Sequence, residues 1–407
     1  MPKIFYRYLT VILLGIMSLS TAFAVEITQA GFAFSGDAAS AAQRFPYTWK
    51  IYERAKGNSS IPTISYEINQ RTKTLKNPEL EFTPLGQLVN LKKSDRALMS
   101  VFALTGETVF TEDLGTYKKT FVNLRGNAII FDYKSQTIVS SWPISIIYHD
   151  ASETSKPTQD QLLAIVENAI RRNDEHGLIT QYMRRLQEAR LPKEGRRTVQ
   201  VKHVEISKEA LQQLPEAYRI NNGAAAKAMV QEGFGTILSA RLKMPMIPSS
   251  VGHSGGVMML KLENGADWKL EVPEGDYLFD VSLDKLVKKE FDRNNISITN
   301  LYGAYMTIHF YGMGDYLNSK FRNGEPNIMP ISQVSYSDFP YYENAINMLV
   351  RKFASSIDND VVLKIKDPND SSQTTKFDPD DWLKTAAKEP NIKSQLRKTY
   401  EIIRKCK

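Results

Sequence analysis

The chain has 407 residues, a formal net charge of +7, 42% hydrophobic and 10% aromatic residues, and one cysteine, Cys406. That length suits two or three ordinary domains, and that composition is the composition of a packed globular protein rather than a disordered one. A single cysteine excludes an internal disulfide framework, so burial alone must hold the fold together.

The first element in chain order is a leader. Lys3 and Arg7 precede an apolar run from Leu9 to Leu19, and Ala22-Phe23-Ala24 places small residues around a cleavage position. This order is expected of a secretory signal peptide (1–24) cut before Val25. The run is shorter than the roughly 20 apolar residues of a bilayer-spanning helix, and no Cys follows the cut to accept a lipid. The expected mature protein is periplasmic, without a transmembrane segment, and nucleic acid is not an expected partner there. Losing Lys3 and Arg7 removes two of the positive charges behind the net +7 and leaves the chain mildly basic. Such mild basicity is compatible with peripheral contact with an anionic surface such as lipopolysaccharide, acidic lipid or cell-wall polymer.

Ala38 to Ala55 reads as a helix with Phe45, Trp49 and Tyr52 on one face, and Pro46 must start or break it. Leu98 to Leu104 is a short apolar strand. Phe121 to Tyr133 and Ile138 to Tyr148, rich in β-branched and aromatic residues, form a hairpin around Lys134-Ser135-Gln136. A helix begins at Thr158, with Leu162, Ile165, Val166, Ala169 and Ile170 at helical spacing. Glu175 to Ala189 is a charged helix, and Thr198 to Ile206 alternates like a strand. Gly223 to Leu242 is again helical, turning Val230, Phe234, Ile237 and Leu238 inward. Val257 to Leu262 and Trp268 to Val272 pair around Asn264-Gly265, a favoured turn. Tyr277 to Leu283 and Ser297 to Tyr311 are strands. Phe339 to Ile357 is an amphipathic helix with Ala345, Met348, Leu349 and Phe353 inward.

The order of these elements recurs, and so do short sequences within them. Asn123-Leu124-Arg125-Gly126 and the strand behind it resemble Asn300-Leu301-Tyr302-Gly303 and the strand behind that. Glu167-Asn168-Ala169-Ile170 recurs as Glu343-Asn344-Ala345-Ile346, at an offset only one position shorter than that of the first pair. The Ala-rich stretch at Ala38 has a counterpart at Ala224. Landmarks in one order at near-constant spacing point to duplication. The expected fold is therefore α+β, with two tandem two-layer modules of mainly antiparallel sheet and packed helices. Their expected limits are 25–192 and 193–365. A polar tail, 366–407, ends in a short helix from Ile392 to Ile403 and is expected to be loosely packed, with Cys406 as a frayed terminal thiol.

Signals for chemistry are sparse. Gly252-His253-Ser254-Gly255-Gly256 matches G-x-S-x-G, a pattern that works when a strand precedes the serine and a helix follows it. Here a proline-broken loop precedes Ser254 and a strand follows, so the expectation is a Gly-Ser turn entering a hairpin. His149, His176, His203, His253 and His309 lack the short spacings of a metal site. Asp367 to Asp378 alternates oxygen ligands like a calcium loop but lacks its glycine and its bidentate glutamate, and reads as a solvated acidic turn. No phosphate-binding loop or dinucleotide fingerprint is present, so no cofactor and no metal is expected. Tyr302, Tyr305, Tyr311 and Tyr316 make the most aromatic segment and are candidate binding residues.

These readings lead to an exported, non-enzymatic binding or assembly protein of the bacterial envelope, whose two linked modules face an envelope protein or polymer. The alternative is an exported serine hydrolase using Ser254. A third reading, a soluble ligand carrier, needs one large apolar pocket between the modules.

Overall fold

The structure, a computed structural model, describes residues 24–84, 97–113, 117–152, 156–192, 195–249, 253–254, 256–331, 337–366, 374–387 and 389–407. The expected leader therefore lies outside the described residues except for Ala24, as does the calcium-like stretch from Asp367 to residue 373.

In chain order the first half carries β1 (Val25–Ser35), α1 (Ala38–Arg44), α2 (Pro46–Gly57), α3 (Ile64–Thr72), β2 (Leu80–Pro84), β3 (Leu98–Asp113), β4 (Lys118–Asp132), β5 (Thr137–Ser152), α4 (Gln159–Arg171) and α5 (Leu178–Glu188). The second half carries β6 (Val199–Ile206), α6 (Lys208–Gln212), α7 (Glu216–Leu242), β7 (His253–Ser254), β8 (Val257–Leu262), β9 (Asp267–Glu271), β10 (Tyr277–Arg293), β11 (Ser297–Tyr311), β12 (Asp315–Pro330) and α8 (Phe339–Ile357). The hairpin β13 (Lys364–Lys366) and β14 (Thr374–Lys376) follows, then α9 (Pro379–Ala386) and α10 (Ile392–Lys405).

Local chemistry explains several boundaries. Pro46 occupies the first turn of α2, so the expected single helix divides there, where a missing N–H costs nothing. Thr158 and Gln161 close a reciprocal capping box at α4. The β8–β9 turn uses Gly265 at φ +90°, a backbone region that side-chain-bearing residues rarely adopt.

The two halves share a strand order. In the first, β1 and β3 are parallel, β3 and β4 antiparallel, and β4 and β5 antiparallel. In the second, β6 and β10 are parallel, and β10–β11 and β11–β12 antiparallel. Each parallel step is bridged by helices, and each run of three antiparallel strands is followed by a helix. The matched sequences hold matching places. Gly126 sits within β4 and Gly303 within β11, while Ala169-Ile170 and Ala345-Ile346 are buried on α4 and α8 with Asn168 and Asn344 exposed beside them.

One element departs from the expected division. The hairpin β7–β8–β9 joins the sheet of the first half, giving the order β2-β1-β3-β4-β5-β9-β8-β7 with β8 also paired to β1. Val257 to Val272, expected in the second module, thus closes the first sheet upon itself. Its Met258, Leu260, Leu262 and Leu270 pack on Met99, Val101, Ile129 and Phe131 inside that ring. The other face of the same sheet packs on α1–α5 through Phe32, Phe34, Phe102, Val122 and Tyr182. Cover on both faces is why β3 and β4 are buried along most of their length, polar Asn123, Arg125 and Asn127 included. Among the described residues the second sheet is covered on one face, by α7, α8 and α10, and β11 accordingly alternates between buried and half-exposed residues.

The tail also differs from expectation. Leu383, Ile392, Leu396, Ile402 and Ile403 enter the second core, and Cys406 is buried with them. The apolar stripe of α10 finds a face to cover, so the end of the chain is docked.

Candidate functional site

The second sheet decides the fate of the aromatic segment. Strand residues alternate faces, so even-numbered positions of β11 point to the helices and odd-numbered positions to the uncovered side. Tyr302 is fully buried, stacked at 4.8 Å on Tyr341, and donates its hydroxyl to Asp338 at 2.6 Å. Tyr316 packs on Tyr277 and Phe310 at the edge of the core. Tyr302 is therefore a core residue rather than a contact residue. Tyr305 and Tyr311 remain half-exposed on the open face, Tyr311 stacking at 4.6 Å on His309, whose Nε2 lies 2.8 Å from Asp315.

The backbone at Ser254 runs strand, turn, strand: β7 pairs antiparallel with β8 after a turn at Gly256. The strand–serine–helix turn of a hydrolase is not formed there. Cys406 is buried, and burial pushes its thiol up to about 11. Among the described residues no three His, Cys, Asp or Glu side chains gather as a metal site.

A groove of about 1080 Å³ runs between the halves, walled by α5 from the first and by α7 and α8 from the second, with β5 as its floor. Its lining mixes apolar residues (Ile147, Ile237, Ile346, Val350) with charged ones, so it is not the apolar pocket of a carrier. Arg184, Arg185, Arg241, Lys243, Arg351 and Lys407 stand against Glu175, Glu343, Asp358 and Asp360. Lys407 is neutralised by Asp358 at 2.6 Å, and Arg184 lies 3.4 Å from Glu188.

Among the described residues the other groove arginines have no such partner. Arg185 is buried and donates to the Thr236 carbonyl at 3.3 Å. Burial lowers its guanidinium to about 10, with the charge of Glu188 opposing the shift. Arg241 donates to the Val362 carbonyl at 3.3 Å, and its proton affinity is lowered by burial and then by the like charge of Arg351. Among the described residues, none of Arg185, Arg241 and Arg351 forms an ion pair with a carboxylate.

At the other end of the groove, burial raises Glu343 to about 8, with Lys119 opposing the shift. Burial and then the charge of Lys119 lower His149 to about 4. Both shifts favour the uncharged form. Four groove-lining residues hold a buried polar atom without a hydrogen-bond partner: Asn123 Nδ2, Arg185 Nε, Thr236 Oγ1 and Glu343 Oε1. Perturbed groups and unpaired polar atoms converging on one concavity mark a candidate site. Its contributors lie far apart in the sequence, and nothing local in it signalled them. No known family model matches the chain, and no curated protein matches it in sequence.

Proposed function

We propose that this chain is an exported, non-enzymatic binding protein of the bacterial cell envelope, built from a duplicated module, which holds its partner in the groove between the halves. The observation that carries the reading is the groove itself, to which both halves contribute walls and in which buried polar atoms lie unpaired. The shared strand order and the matched Asn-Leu-x-Gly and Glu-Asn-Ala-Ile positions support duplication. The apolar run behind Lys3 and Arg7 supports export.

A photo-crosslinking residue at Asn344, exposed beside the groove, tests the reading against the same residue at Asn168 on α4. Intact-mass analysis of protein recovered from the native cell should show a chain starting at Val25 and an added mass at position 344 but not 168. A chain still beginning at Met1, or equal adducts at both positions, overturns it.

A further inference from the structure

We infer that the groove binds a molecule carrying at least two phosphate or carboxylate groups, one met by Arg185 and another by the Arg241–Arg351 pair. The inference rests on the groove being the ligand site and names the chemistry of what enters it. A buried guanidinium without a paired carboxylate is costly, and a ligand anion is the missing partner that removes the cost. Arg185 offers a planar fork with an unpaired Nε, the geometry that binds phosphate and carboxylate in bidentate fashion. Arg241 and Arg351 repel one another on the opposite wall, neither in an ion pair with a carboxylate among the described residues, and an anion seated there turns repulsion into two attractions.

Size argues for more than a simple ion. About 1080 Å³ lies at the upper end of small-molecule pockets, which run to roughly 1,000 Å³. Ile237, Ile346 and Val350 add apolar wall to the same groove, suited to the uncharged body of such a molecule. Glu343, the groove carboxyl whose proton affinity burial raises, does not oppose it. Burial keeps Glu343 protonated up to pH about 8, so its carboxyl can donate a hydrogen bond instead of repelling an anion.

Isothermal titration of the full chain with inorganic pyrophosphate and, separately, with citrate tests the inference at pH 7 and low salt. Saturable binding is expected for at least one. It should weaken at least tenfold in R241A/R351A, in which one side chain is exposed and the other half-exposed, and weaken further as salt rises. Pyrophosphate alone identifies a phosphate ligand, citrate alone a carboxylate ligand. Circular dichroism confirms that the variant is folded, and R185M supplies a second variant from the other wall. Binding of neither probe, or binding unchanged in both variants, overturns the inference. Crosslinked mass at Asn344 with no anion binding overturns this inference alone. Anion binding with no selective adduct at Asn344 overturns the envelope reading alone.

Discussion

Arg125 on β4 and Glu232 on α7 form a buried ion pair, Nε to Oε2 at 2.9 Å, that joins the sheet of one half to the central helix of the other. Glu232 also accepts from the Thr105 hydroxyl, and Arg125 donates to Asn123 at 3.0 Å and Thr108 at 3.2 Å. Glu107 lies close enough for the charge of Arg125 to act on it and accepts from the Tyr47 and Thr48 amides at the start of α2. The first turn of a helix, a strand bulge and a helix of the other half thus meet in one polar knot.

Removing one side of that pair leaves the other charge buried alone. Glu232→Gln and Arg125→Met should each cost about 3–5 kcal/mol in urea unfolding. The double variant should recover part of that loss, because both charges are then gone. Strict additivity of the two single losses would show that the groups act independently.

The pH dependence of stability should carry two opposed contributions. Glu343 has a folded value of about 8 against an ordinary 4.5, so the unfolded chain binds fewer protons between them. Its contribution is complete below pH 4.5, is lost as pH rises toward 8, and falls no further above that. Glu343→Gln should remove this decline, whose slope is at most roughly 1.4 kcal/mol per pH unit.

His149 works in the other direction. Its folded value of about 4 lies below an ordinary 6.5, so its contribution is present above pH 6.5 and is lost as pH falls toward 4. Denaturation curves of His149→Gln should flatten on the acid side only. An unchanged acid limb would show that the imidazole is protonated in the fold.

Cys406 should be silent toward a thiol reagent in the native protein at pH 8, since it is buried and pushed up to about 11. Labelling should follow undocking of α10 and accelerate in denaturant. Fast native labelling, or a disulfide-linked dimer on a non-reducing gel, would contradict the docked tail.

The matched glycines should differ in tolerance. A Cβ at Gly126 meets the Ala103 carbonyl and the Phe102 ring at 2.5 Å, inside a strand covered on both faces. Gly126→Ala should cost about 1–3 kcal/mol by thermal or urea unfolding. At Gly303 the nearest atom is a methyl of half-buried Val287 at 2.6 Å, which can shift toward the open face, so Gly303→Ala should cost less.

Elements were readable because their causes are local. Pro46 at a helix start, the Thr158–Gln161 capping box, the Asn264-Gly265 turn and the alternation along β11 all act over short stretches of chain, and each stands where its neighbours require. The alternation even separates Tyr302 from Tyr305 and Tyr311, but not which set meets water. That depends on α8 covering one face of the second sheet while the other stays open. β3 and β4 are buried on both faces, yet nothing near them in the sequence named β8–β9 as the cover. A hairpin can pair with any free strand edge, and contacts far along the chain, such as Phe34 with Lys261, decide which. The tail followed the same rule, its stripe of Ile392, Leu396 and Ile403 being visible and its docking face not. The groove was least visible of all: Arg185, Arg241, Glu343 and Arg351 are ordinary helix residues taken singly. The desolvation of Arg185, Arg241 and Glu343 and their altered proton affinities come from three helices meeting in space, because desolvation and charge proximity belong to the folded surroundings and not to the residue.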